Sequence, residues 1–243
     1  MRKFVLSLSI IVSTWVSAEA STFEAGLGVV SINNSYRGLP TETLAFPLIA
    51  YQNGNFAIEG AEVSYSICDC QGFSIRSHLK PGFDFLDASK SSDAQIRALA
   101  DRKISILAGL TVSKLYKFGG LSISIDSDVS GNSEGLIIEA SLSKPMALSE
   151  RITFVPSLAF AAINSRYANY YFGLKNMQDN LPDYIVGNSS RLTFSSTFLY
   201  KHSDKLSFQT SLSASRMSDE IASSPIVASA NSQAFIVGAK YTF

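Results

Sequence analysis

Apolar and polar residues alternate with a period of two along most of this chain, and that pattern predicts β-strands rather than helices. Phe23, Ala25, Leu27 and Val29 share one face of a first strand over residues 22–31. The pattern resumes at Phe46, stops at Asn53-Gly54-Asn55 and slips phase near Gly60, so that Phe56 and Ile58 have one parity while Val63, Tyr65 and Ile67 have the other. A turn or a β-bulge belongs there. Phe73, Ile75 and Leu79 then oppose Ser74, Arg76, His78 and Lys80, and Phe83, Asp84 and Phe85 continue the alternation. Residues 103–113 form the cleanest strand. Ile123 and Ile125 run against Ser124, Asp126 and Asp128, and Ile138, Ala140 and Leu142 against Glu139, Ser141 and Ser143. Strands over 152–160, 191–201 and 206–215 lead to the last one, where Phe235, Val237, Ala239, Tyr241 and Phe243 share a face.

The composition of the two faces decides the fold class. The apolar face is aliphatic in mid-strand with Phe or Tyr at several ends, and the other carries mostly Ser, Thr and Gly with scattered charges, as a lipid-facing wall around a wet interior requires. The expected fold is all-β, a single antiparallel transmembrane β-barrel of the outer-membrane type over residues 21–243, with outer-membrane lipid against its apolar face. Phe243 and Tyr241 are the expected barrel-closing C-terminal signal, on a last strand that pairs with the first and leaves no edge. Such barrels have an even strand number, short periplasmic turns and longer external loops. The turns at 68–71, 116–119, 149–151 and 203–205 read as periplasmic, and 87–101, 131–134, 165–190 and 219–232 as external, with a short helical turn near 95–100. Taking 45–67 as one long bulged strand gives ten strands, the preferred number. A true hairpin at Asn53-Gly54-Asn55 would demand one more break and give twelve.

The N-terminus fits that location. Met1-Arg2-Lys3, an apolar run over 4–16 and Ser17-Ala18-Glu19-Ala20 have the basic, apolar and small-residue regions of a secretory signal peptide over residues 1–20, expected on the outer membrane of a Gram-negative bacterium. Its removal takes away Arg2, Lys3, Glu19 and Trp15, the single tryptophan. The whole chain holds 20 basic and 20 acidic residues, and that balance excludes a polyanionic partner such as nucleic acid. Hydrophobic residues make up 46% of the chain and mean hydropathy is +0.16, yet beyond the signal no run approaches a membrane-spanning helix. Cys68 and Cys70 are the two cysteines. In an oxidising periplasm they form a turn disulfide or remain thiols, because on a regular strand their Cα atoms would lie about 7 Å apart, near the limit for bridging.

Candidate chemistry is sparse. With His78 and His202 as the two histidines, neither a catalytic residue nor a cofactor or metal site is assigned. His202-Ser203-Asp204 lies on a turn, where adjacent residues do not build a nucleophile and base pair. His78 is expected in the lumen with Arg76, Lys80, Asp84 and Glu139 as a charge network, since small barrels fill their interiors with side chains. Asp101-Arg102 and the 218–225 segment read as devices that pin external loops. Tyr167, Tyr170, Tyr171 and Phe172 form an aromatic girdle, an inward plug or a contact patch, the girdle being preferred.

Several segments taken together resemble the MltA-interacting protein / outer-membrane protein V (MipA/OmpV) family: Phe46-Pro-Leu-Ile-Ala-Tyr51, Ala100-Asp-Arg-Lys103 followed by Ala108-Gly-Leu110, Tyr170-Tyr-Phe-Gly173, Ser218-Asp-Glu220 with Ser224-Pro-Ile-Val227, and Lys240-Tyr-Thr-Phe243. The resemblance implies a non-enzymatic outer-membrane protein, a scaffold bringing a lytic murein transglycosylase and a murein synthase together. It also leaves a narrow solute channel, or a part in osmotic response or adhesion, as alternatives.

Overall fold

The computed structural model describes residues 21–70, 72–175 and 181–243, so the expected signal segment lies outside the described residues. The chain forms one antiparallel sheet closed on itself. Its strands are β1 (Thr22–Ile32), β2 (Glu42–Asn53), β3 (Phe56–Glu59), β4 (Glu62–Cys70), β5 (Phe73–Pro81), β6 (Ile106–Tyr116), β7 (Gly119–Asp128), β8 (Leu136–Ser143), β9 (Met146–Ala147), β10 (Ile152–Ile163), β11 (Ser189–Lys201), β12 (Leu206–Met217) and β13 (Asn231–Thr242). β8 and β9 are one stave interrupted at Pro145, for both pair with β10, and the wall therefore has twelve. β13 pairs with β1 from Glu24↔Thr242 to Ile32↔Ala234 and closes the ring. Closure leaves no free edge at the seam, as a membrane-spanning sheet requires.

The preferred count of ten is wrong, and the error lies in residues 45–67. Asn53-Gly54-Asn55 is a true hairpin turn between β2 and β3, with Gly54 at φ 54°. The additional break is at Gly60, φ 58°, where the alternation slips phase. A left-handed residue reverses the chain at each site, and glycine reaches that conformation without a Cβ clash. β3 is thus a stave of only four residues.

Side chains sort by parity. Leu27, Ile67, Leu110, Ile123, Leu158, Phe194 and Leu212 stand exposed on the outside, and Ser64, Ser74, Ser124, Thr197 and Ser211 are buried on the inside. At the end carrying the termini, aromatic rings ring the wall: Phe154 on Phe198 (4.7 Å), Tyr116 on Phe118 (5.1 Å), Tyr241 against Phe243 (5.1 Å) and Phe243 on Phe23 (5.3 Å). That end carries the short turns and by the rule for such barrels faces the periplasm. Inside, Val30, Phe46, Leu48 and Ile236 break the polar pattern and pack together across β13, β1 and β2. Gly28 makes room for this packing, since a Cβ there would come within 2.9 Å of the Phe46 ring.

Candidate functional site: the lumen and its capped mouth

At the loop end the connections fold inward and share one apolar core, built from Tyr36, Leu86, Ile96, Tyr167, Tyr171, Phe172, Ile221 and Ile226 among others. Its centre is α2 (Ser165–Phe172) in the β10–β11 connection. Asn164 caps this helix, its Oδ1 accepting the N–H groups of Tyr167 and of Leu136 at 3.0 Å each, so the cap also ties the helix to β8. Around it lie α1 (Ala94–Arg97), where a helical turn was expected, and α3 (Asp219–Ala222).

The expectation of a girdle at residues 167–172 is therefore corrected. Tyr167, Tyr171 and Phe172 are fully buried in a plug, and Tyr170 is half-buried against it. The girdle lies instead at the opposite rim. Alternation cannot separate these outcomes, because a loop that folds inward presents apolar residues as a lipid-facing loop would. The Tyr171 hydroxyl accepts the Ser105 N–H and donates to the Lys103 carbonyl, both at 2.9 Å, and Tyr36 donates its hydroxyl to the Tyr171 carbonyl at 3.0 Å. Burial holds the hydroxyls of Tyr36, Tyr167 and Tyr171 above the usual phenol range. Asp101 and Arg102 do tie loops together: Asp101 accepts the Ala88 N–H at 2.9 Å, and Arg102 donates to the Gly173 carbonyl at 3.2 Å. Arg37 reaches Pro225 of the 218–225 segment through its carbonyl at 2.9 Å.

Beneath the plug the five residues grouped from sequence divide into three sets. His78 Nε2 lies 2.5 Å from Asp126 Oδ1, and Lys80 and Ser124 donate to Asp126 Oδ2 at 3.2 and 2.8 Å. Thr111 Oγ1 stands 3.3 Å from His78 Nδ1, so a neutral imidazole donating to Asp126 can accept from the threonine. Gly109 makes room, because a Cβ there would collide with Asp126 and lie 2.6 Å from His78. Asp84 is at the mouth, where Arg191 Nη2 donates to both its carboxylate oxygens at 2.7 Å and the Tyr167 hydroxyl donates at 3.1 Å. This trio binds the plug to the wall. Glu139 lies in the electrostatic reach of Lys80, Asp126 and Arg191, whereas Arg76 sits apart, near Glu59. Asp126 and Arg191 are missing from the sequence grouping although both fall on polar faces. Strand parity puts a residue inside a barrel but does not say which stave it meets.

Near the turn end, just past a register shift in β4 between Ser66 and Cys68, the Cα atoms of Cys68 and Cys70 lie 5.5 Å apart, and the structure pairs the two sulfurs. The His202 ring packs edge-on against Tyr200 and Phe208, Ser203 accepts backbone N–H groups, and Asp204 pairs with Lys201 at 2.8 Å. No base is directed at a nucleophile in this tripeptide.

A closed barrel with an apolar outer belt and a wet inner face defines a transmembrane protein of the bacterial outer membrane. The family model described as MltA-interacting protein MipA matches residues 25–243, and the chain belongs to that family. It is 24% identical over 232 residues to an outer membrane protein of Escherichia coli (strain K12), YiaT, with 93% of each chain covered. It is 24% identical over 253 residues to the MltA-interacting protein of the same strain, covering 100% of this chain and 99% of the relative. Among solved structures it shares its fold with an outer membrane channel from Pseudomonas putida F1, at a TM-score of 0.50 and 8% identity, covering 97% of this chain and 99% of that one.

Proposed function

We propose that this protein is a non-enzymatic outer-membrane anchor whose periplasmic rim recruits a murein-cleaving transglycosylase, and with it a murein synthase. The observation that carries the reading is the plug: apolar residues of four loops fill the mouth, and the Asp84, Arg191 and Tyr167 contacts fasten it. A mouth packed like a domain interior does not pass hydrated solutes, and it leaves the turn end as the face to present to partners. A relative that bears the name MltA-interacting protein supports a transglycosylase as the partner. Pull-down from solubilised envelope is expected to recover a murein transglycosylase, and recovery of neither murein enzyme refutes the proposal.

A narrow solute channel is the second reading. It draws on a hydroxyl-lined lumen, with Ser122 against Ser141 at 2.7 Å, Ser157 against Ser195 at 2.6 Å and Thr197 against Ser211 at 2.9 Å. Planar-bilayer recordings of the refolded protein separate the two readings: unitary conductance with the plug intact supports the channel, and its absence supports the anchor.

A further inference from the structure

The short stave β3 leaves the wall incomplete. β2 is paired with β1 along its length, from Glu42 to Gln52, but on its other side β3 reaches only Ala50 to Asn53. The β3–β4 connection ends with the Gly60 N–H on the Ile49 carbonyl at 2.7 Å. Backbone groups of alternate residues point to the same side of a strand, so those of Thr43, Ala45 and Pro47 face the side that β3 does not reach. Among the described residues no backbone partner is found for them there. Pro47 has no N–H to leave unpaired, a common device on exposed edges. The gap is at membrane depth, because Ala45 and Pro47 pair with Val29 and Leu27, which belong to the exposed apolar belt. Irregular backbone at that depth needs protein or water around it.

The frame of the gap has a defined chemistry. Its sill is the β3–β4 turn, with Glu59 and Glu62 as cross-strand partners that point inward, opposite in parity to the outward Ile58 and Val63. Glu62 is 6% exposed and its Oε2 has no hydrogen-bond partner, while Glu59 is exposed although it points into the barrel. Lys240 and Arg76 are the cations within electrostatic reach of Glu59, and Lys240 also pairs with Glu24 at 2.5 Å. One side of the frame is β2, whose inward Phe46 and Leu48 are apolar. Above lies the β5–β6 connection, joined to the head of β2 by Lys90 on Glu42 at 2.7 Å and by the Ser92 N–H on the Gly38 carbonyl at 2.8 Å.

We propose that this gap is a lateral portal between bilayer and lumen that takes an amphiphile with a protonated amine, its head on Glu62 beside Glu59 and its chain in the bilayer along the unpaired side of β2. A strand from another protein is a poorer occupant, since Pro47 interrupts the donor row it would need. The portal lies beyond the anchor reading and is independent of it.

The test uses protein refolded into phosphatidylcholine vesicles. In a Cys68→Ser/Cys70→Ser background, Ala61→Cys at the sill is expected to react with a charged, membrane-impermeant maleimide roughly tenfold faster than Ile123→Cys on the lipid-facing wall, because water reaches one and hydrocarbon the other. A fluorescent long-chain alkylamine is expected to bind the native protein more tightly than the alkyl sulfate of equal length, with Glu62→Gln weakening it roughly tenfold, the loss of one partly buried ion pair. Glu59→Gln repeats the measurement should Glu62→Gln fail to refold, as read by its gel mobility. Equal labelling of the two cysteines overturns the portal, and equal binding of amine and sulfate, or no change in the glutamine variants, overturns the ligand.

Discussion

The plug is fastened by a charge pair that can be broken from either side. In Asp84→Asn the Arg191 guanidinium keeps its position in the wall but loses its carboxylate, and its Nε has no hydrogen-bond partner even in the native protein. Removing one member of a buried pair typically costs 3–5 kcal/mol. Here the side chains of Arg191 and Asp84 are 20% and 11% exposed, so water screens part of the loss and about 3 kcal/mol is the expected figure. Most of that cost falls on plug docking rather than on the barrel, because Asp84 lies in the β5–β6 connection and the wall keeps its ladder. At 1.4 kcal/mol per factor of ten, the open fraction of the plug should rise roughly 150-fold. Amide hydrogen exchange reads this directly: residues 165–172 should lose protection in Asp84→Asn and in Arg191→Gln while β1 and β13 keep theirs. The double variant should exchange more slowly than the two single effects added together, since no charge is then left alone. Strictly additive single effects, or unchanged protection of α2, would refute the argument that this pair holds the plug.

Other consequences are sharper in sign than in size. Because burial raises the Tyr36, Tyr167 and Tyr171 hydroxyls above their unfolded value, the plug holds its full stability below pH about 10 and loses it as pH rises through the raised values; ultraviolet titration should show late-ionising tyrosines, and ionisation in one ordinary step would contradict it. Gly109→Ala pushes a methyl group into the His78 and Asp126 pair, an overpacking that should cost ~1–3 kcal/mol and appear as a lower midpoint of heat-induced gel shift. Phe243→Ala removes the ring stacked on Phe23 and set edge-on to Tyr241, contacts worth ~0.5–1.5 kcal/mol each beyond their area, and should lower the same midpoint without changing strand content by circular dichroism. Protein purified without reductant should show no thiol that alkylates at Cys68 or Cys70, and two alkylated thiols in the unfolded, unreduced chain would dismiss the bridge.

Much of the wall was legible because one rule governs it. A residue such as Leu110 or Ile123 faces lipid since its neighbours at two-residue spacing do, and a shift of one residue would turn every member of the set inward. The rule weakens where turns are built from ordinary polar residues: Asn53-Gly54-Asn55 and Gly60 both announced themselves, one as a hairpin signal and one as a phase slip. Reading them as a single bulge merged β2, β3 and β4 because a four-residue stave falls below the length at which alternation is recognised.

Partners across the barrel obey no such rule, and the lumen shows why. His78 and Asp126 are 48 positions apart and meet on one row across Gly109 through the register of β5, β6 and β7, Asp84 and Arg191 are 107 apart, and neither pairing follows from any local spacing. The same holds for apolar residues that point inward. Val30, Phe46 and Leu48 have the composition of the outer belt but the parity of the lumen, and they are buried because Gly28 and Gly238 on the neighbouring staves leave room for them to pack together. Tyr167, Tyr171 and Phe172 are the loop counterpart: hydrophobic enough for a membrane rim, they are buried because four connections at one end of the cylinder are long enough to meet. An apolar side chain in a barrel sequence therefore reports that it is shielded from water. Whether lipid, neighbouring staves or a plug does the shielding is set by the three-dimensional path of the chain, which is why the plug and the gap beside β2 emerge only from the closed sheet.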